Sequence, residues 1–175
     1  MKGWFWLFLL LSGSMVSCAP FSKDIMRQVD PTLIFDEIQR NPQPYVGRTV
    51  LWGGIIIETT NRDSETYIKV RKTDLDYEKR PMNVDRSAGR FIVRYNGFLD
   101  SAIYREGREI TVAGEVAGIE VQPIGNTNYR YPVILAKAIR LWQPPIVYPY
   151  YPPWYWGPYP WGYPYPYWYY RPYWW

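Results

Sequence analysis

The sequence predicts a mainly β protein: a small antiparallel barrel, preceded by one short helix and followed by a disordered tail of aromatic residues and proline. Three observations carry this reading. Between Thr49 and Trp142, five runs rich in β-branched and aromatic residues alternate with polar or glycine-containing turns. Ahead of them, a single stretch that begins at Pro31 carries helical punctuation. Beyond Trp142 the composition breaks: of 18 Tyr, 10 Trp and 17 Pro in the chain, eleven, six and ten fall within residues 143–175, far more rings than one small core can bury.

The chain opens with an export signal over residues 1–17. Lys2 supplies the positive charge, Trp4 to Leu11 an unbroken apolar run, and Ser12-Gly13-Ser14 a break of small residues. A membrane-spanning helix needs roughly 20 apolar residues, so this run is read as a signal and not a span. Met15-Val16-Ser17-Cys18 resembles a bacterial lipobox, with Met15 where Leu is usual. That resemblance implies cleavage before Cys18, a diacylglycerol thioether on its sulfur and a further amide-linked acyl chain. Each buried methylene contributes about 0.8 kcal/mol, and two chains already anchor stably. Ala19 follows in place of Asp, which by the same resemblance implies the outer membrane. Cys18 is the chain's one cysteine, so neither an internal disulfide nor a multi-cysteine metal cluster is available. No cofactor or metal is expected, only covalent lipid on Cys18.

Residues 18–30 are expected to form a lipidated linker and residues 31–142 the barrel. Asp30 reads as an N-cap with Pro31 in the first helical position, Leu33, Ile34, Phe35 and Ile38 as the apolar side, and Asn41-Pro42 as the stop. The strands follow at Thr49–Ile57, Thr66–Val70, Phe91–Tyr95, Glu109–Val116 and Tyr131–Trp142. Ile68/Val70, Ile92/Arg94 and Ile110/Val112 have the two-residue period that puts one face inward. Gly53-Gly54 marks a bulge or sharp coil where the sheet must bend. Five strands and one helix favour an OB-like barrel, a partly open Greek key, over a β-sandwich. Residues 71–89 and 117–130 read as long loops, where ligand contacts concentrate.

Taken in order, these landmarks resemble one family: Cys18-Ala-Pro-Phe21, Asn41-Pro42, Tyr45-Val-Gly47-Arg48, Trp52-Gly53-Gly54-Ile55, Gly89-Arg90-Phe91, Gly97-Phe98-Leu99-Asp100, Tyr104, Gly107-Arg108, Gly114, Tyr129, Tyr131-Pro132 and Leu141-Trp142. They are similar to the Slp family, the starvation-inducible outer-membrane lipoproteins of Gram-negative bacteria. The likeness runs from Cys18 to Trp142 and leaves the tail outside it. It implies an acylated lipoprotein made in stationary phase or under stress, without a catalytic set to transfer.

Composition narrows the function classes independently. Histidine is absent, which removes the commonest general base and metal ligand. A net charge of +4 is too small to propose a nucleic-acid partner. Gly53-Gly54 lacks the spacing of a phosphate loop. Asp74, Asp76 and Glu78 alternate in the manner of a carboxylate pair for glycoside hydrolysis, yet Lys69, Arg71, Lys72, Lys79 and Arg80 intersperse with them and read as a mixed solvated surface. Arg90, Arg94, Arg105 and Arg108 offer guanidinium forks for lipid phosphate or lipopolysaccharide, against local ion pairing with Asp100, Glu106 and Glu109.

Ten prolines exclude the tail at 143–175 from helix and central strand and leave an extended, ring-studded chain. Its rings suit a membrane interface or a glycan. Together with these exclusions, the Slp resemblance implies a non-catalytic outer-membrane lipoprotein on the periplasmic face, with outer-membrane lipid as partner and a role in envelope maintenance under starvation or stationary-phase stress. The second reading is an envelope binding module that holds peptidoglycan glycan or lipopolysaccharide through the tail and the barrel face.

Overall fold

The structure is a computed structural model that describes residues 21–144. The signal peptide, Cys18 and the tail beyond Pro144 lie outside the described residues, and so do the expectations placed on them. Two short helices, α1 (Lys23–Gln28) and α2 (Phe35–Arg40), and a 3-10 turn at Gln43–Tyr45 precede six strands: β1 (Thr49–Arg62), β2 (Glu65–Leu75), β3 (Pro81–Met82), β4 (Gly89–Asn96), β5 (Glu109–Ile124) and β6 (Thr127–Leu141).

The expectation of one helix beginning at Asp30 is corrected. Ser22 caps α1, its hydroxyl accepting from the Ile25 N–H at 3.3 Å. Asp30 instead closes a turn, its carboxylate accepting from both the backbone N–H (2.9 Å) and the hydroxyl (2.6 Å) of Thr32. An aspartate that holds the chain in this local turn competes with helix initiation, so α2 starts at Phe35 without a side-chain cap. Asn41 ends it as expected. The apolar side of α2 is Phe35 and Ile38, both buried in the main core.

The sheet closes on itself. Its neighbours run β1-β5-β6-β4-β2, with β3 appended beyond, and β1 also pairs with β2. Four of the ring's pairings are antiparallel. The fifth, between Ile92–Arg94 of β4 and Val133–Leu135 of β6, is parallel, which corrects the expectation of a wholly antiparallel sheet. The reason is one of parity: strand directions cannot alternate all the way round a ring of five.

Closure is concentrated in three residues of β1. Gly53, Gly54 and Ile55 face Thr73, Lys72 and Arg71 on one edge and Thr111, Ile110 and Glu109 on the other. A β-carbon on Gly54 would lie 1.9 Å from the Arg71 carbonyl oxygen, so only glycine admits this approach. The expected sharp coil is therefore at the glycine pair. The bulge sits further on, between Ile56 and Glu58.

Inside the ring, Trp52 meets Phe35 at 5.0 Å and Phe91 edge-on at 5.4 Å, contacts worth about 0.5–1.5 kcal/mol each beyond burial. Ile68, Val70, Ile110 and Val112 face inward as the two-residue period requires, and β4 contributes Phe91 and Val93. Ile92 points the other way and joins Tyr131 and Val133 in a second small cluster. Of the two long loops of the sequence reading, 71–89 is strand only at residues 71–75, Pro81–Met82 and Gly89, whereas 117–130 is mostly strand. β2 continues to Leu75, and residues 117–130 form the end of the β5–β6 hairpin around Gly125-Asn126.

Candidate functional site

The described chain begins with a buried residue and is fixed to the ring by Gln28, Val29 and Asp30. Phe21 is buried, 4% exposed, three positions after Cys18. Val29 bridges Thr49 in parallel, the Asp30 N–H donates to the Thr49 carbonyl at 2.9 Å, and Lys137 Nζ donates to Gln28 Oε1 at 2.7 Å. Arg48 pairs with the Asp30 carboxylate. The Thr32 hydrogen bonds first, and then Arg48, hold the Asp30 carboxyl below its ordinary 3.8. Gln28, Val29 and Asp30 thus lie against the body.

Beside α1 opens a cleft of about 380 Å³, floored by Val50–Trp52 of β1 and Lys72–Leu75 of β2 and walled by Met26, Val29–Pro31, Leu33, Asp76 and Lys79. Lys72 continues the inward phase of Thr66, Ile68 and Val70. Its ammonium stands 5.7 Å from the centre of the Phe35 ring, a cation–π contact. Burial pushes its pKa below the ordinary 10.5, opposed by Asp74 and Asp36. Among the described residues the ion pairs are Arg27–Asp24, Arg48–Asp30, Lys69–Glu58, Arg80–Glu109, Arg94–Glu65 and Lys137–Glu115, so Lys72 has no carboxylate at contact distance. A half-buried cation with its charge unpaired is suited to receive an anion.

The other predicted groups are spread over separate structural tasks. Asp76 closes the turn after β2, accepting from the Arg80 N–H at 2.9 Å. Asp74 pairs across to Met82 in the backbone ladder, and Tyr77 beside Glu78 is 86% exposed. Asp74 and Asp76 share the cleft lining, while Glu78 is not part of it. No group of three metal-ligating side chains forms among the described residues. The four arginines do not share one set of partners. Arg94 reaches Glu65 at 3.7 Å, and Arg108 donates to the carbonyls of Trp142 (2.9 Å) and Ile103 (3.4 Å). The Arg90 backbone N–H donates to the Tyr129 hydroxyl at 2.9 Å. Glu109, expected to pair with one of them, is held by Arg80 at 2.6 Å. The Lys72 cleft itself was missed by the sequence reading, which grouped Lys72 with a loop.

The described residues form a closed, mainly β body that begins three residues after a lipobox-like cysteine. The chain belongs to the outer membrane lipoprotein Slp family, whose profile matches residues 15–174. The match begins with Met15-Val16-Ser17-Cys18 and runs through the tail, correcting the expectation that the tail lies outside the likeness. The chain is 31% identical to the uncharacterized lipoprotein YeaY of Escherichia coli K12 over 161 residues, covering 89% of this chain and 80% of that protein. It is 27% identical to the outer membrane protein Slp of Escherichia coli K12 over 139 residues, 78% of this chain and 73% of that one. An uncharacterized protein of Haemophilus influenzae is 38% identical over 104 residues, 59% of this chain and 56% of the relative.

Proposed function

We propose that this protein is a non-catalytic lipoprotein held in the outer membrane by acyl chains on Cys18, with its body on the periplasmic face. Its ring is an OB-type barrel, and it contributes to envelope maintenance under starvation or stationary-phase stress. The observation that carries the reading is the family match, which opens on the lipobox-like Met15-Val16-Ser17-Cys18. The barrel assignment is supported by the strand order and the single parallel pairing, which suit a five-stranded Greek key. The non-catalytic reading is supported by the family match and by the engagement of Asp76 in its own turn.

The test is Cys18→Ala in cells fed labelled palmitate. The expected result is that native protein takes up label and fractionates with outer membrane, while the variant does neither and keeps its fold. Full outer-membrane fractionation of an unlabelled Cys18→Ala protein would overturn the anchoring.

A further inference from the structure

A tether of three residues sets how the body meets the membrane. Cys18 and Phe21 are three residues apart, and an extended chain spans at most about 3.5 Å per residue, so the lipid-bearing residue stays within about 10 Å of buried Phe21. The polar headgroup layer of one leaflet is itself roughly 5–8 Å deep. The body therefore has no room to stand off, provided residues 21–30 stay docked. Residues 28–30 are docked by the Val29–Thr49 bridge, the Asp30–Thr49 hydrogen bond and the Lys137–Gln28 contact, and Phe21 is held by its burial.

What lies at this end is the cleft. Met26, four residues into the segment capped by Ser22, lines it, and at 1.5 Å per helical residue that is only about 6 Å further along. Of the eight large apolar side chains exposed among the described residues, two directly follow lining residues in the chain: Ile34, 55% exposed, after Leu33, and Tyr77, 86% exposed, after Asp76. A tyrosine and an isoleucine at this position suit the boundary between headgroups and acyl chains. Within the cleft, Lys72 presents a charge without an ion-pair partner, and Asp74, exposed and likewise unpaired among the described residues, stands two residues along β2. A cation and an anion at one mouth match the phosphate and the ammonium of a zwitterionic phospholipid.

We infer that the end of the body bearing α1 and the cleft rests on the leaflet that holds the Cys18 acyl chains, with Ile34 and Tyr77 at the headgroup level and Lys72 receiving a phospholipid phosphate. The orientation rests on acylation of Cys18. The headgroup contact at Lys72 does not, so the two parts are tested separately.

For orientation, the acylated full chain is placed in vesicles of phosphatidylethanolamine and phosphatidylglycerol. Acylation occupies the native thiol, so Ile34→Cys or Ser64→Cys supplies a unique site for a polarity-sensitive fluorophore. Ser64 lies in the β1–β2 turn, ten residues along β2 from Asp74, on the order of 30 Å in an extended strand. The expected result is quenching by lipids brominated near the headgroup that is several-fold stronger at position 34 than at 64. Equal quenching in a protein shown to carry labelled fatty acid would overturn the orientation alone, whereas absence of fatty acid would overturn the anchoring reading.

For the cleft, short-chain dihexanoyl phosphatidylethanolamine and inorganic phosphate are titrated in parallel and followed by phosphorus NMR. The lipid is expected to bind, to lose about tenfold in affinity with Lys72→Gln, the scale of one charge-assisted hydrogen bond, and to be restored by Lys72→Arg. Lipid binding that Lys72→Gln leaves intact, no lipid binding at all, or inorganic phosphate bound as well as the lipid would each overturn the headgroup assignment.

Discussion

Gly54→Ala isolates the closure of the ring in one methyl group. The added β-carbon would lie 1.9 Å from the Arg71 carbonyl oxygen and 2.8 Å from its carbon. Carbon–oxygen contacts in sheets settle near 3.3–3.6 Å, so β2 must retreat from β1 by more than about 1 Å at this point. Such a retreat carries ladder hydrogen bonds of about 2.9 Å beyond bonding range. Losing two of them at about 1 kcal/mol each, and leaving at least one buried group unsatisfied at a further 1–3 kcal/mol, totals about 3–5 kcal/mol. β1 cannot relieve the strain by moving the opposite way, because Gly54 is paired to Ile110 on its other edge. For a body of this size the loss corresponds to a melting-temperature drop of roughly 10–20 °C, read by far-ultraviolet circular dichroism on the full chain in detergent. Gly107→Ala is the control: its φ of +82° strains any side chain, but no atom lies within 4 Å of the new carbon, and the cost is only about 1 kcal/mol. A Gly54→Ala protein that melts alongside the Gly107→Ala control would refute the closure argument.

Other outcomes follow from the same geometry. Phe21→Ala should lower stability by about 3 kcal/mol in a denaturant titration and speed proteolysis at α1, since it loosens the segment that binds the tether to the body. Trp142→Phe should cost about 1–2 kcal/mol, because Trp142 Nε1 donates at 2.9 Å to the buried Thr111 hydroxyl; an unchanged denaturation midpoint would show that this bond contributes nothing. Asp30 and Glu58 are both held below their ordinary values of 3.8 and 4.5, by Thr32 and Lys69 respectively. Their stabilisation is complete above those values and is lost as pH falls through the lower folded ones, so melting temperature should decline below about pH 4.5, and less steeply in Asp30→Asn. Lys72 has the opposite sign: a base with lowered folded pKa costs stability while charged, so Lys72→Met should raise the melting temperature at neutral pH by the equivalent of 1 kcal/mol or less after solvent screening.

The ring was legible where sequence patterns are local. The two-residue period at Ile68/Val70 and Ile110/Val112 gave the inward faces, and Gly53-Gly54 gave the coil, because both follow from the strand's own geometry. Strand ends were less legible. Residues 117–130 contain Gly118, Pro123 and Gly125, which read as a loop, yet β5 and β6 pair across them down to Ile124 and Thr127. Two long strands already aligned by the core extend their ladder past residues that would not start one. Asp30-Pro31 misled for a related reason. The signal for a helix cap is also the signal for a tight turn, and the outcome was settled by Thr32 and Arg48, the latter eighteen residues away.

The cleft shows what such patterns hold when they are followed one step further. Thr66, Ile68 and Val70 are buried on alternate positions of β2, and the next inward position is Lys72. A lysine where the period demands an apolar side chain is a conflict between local residue choice and global fold, and such conflicts concentrate at functional sites. Here the conflict has a physical form: an ammonium carried to the end of the core and laid against Phe35, with no carboxylate at contact distance among the described residues. An apolar residue at 72 would serve the fold better. The cost that Lys72 imposes on stability is intelligible if the charge is completed from outside the chain. If Cys18 carries the acyl chains proposed above, the nearest source of such anions is the membrane surface itself.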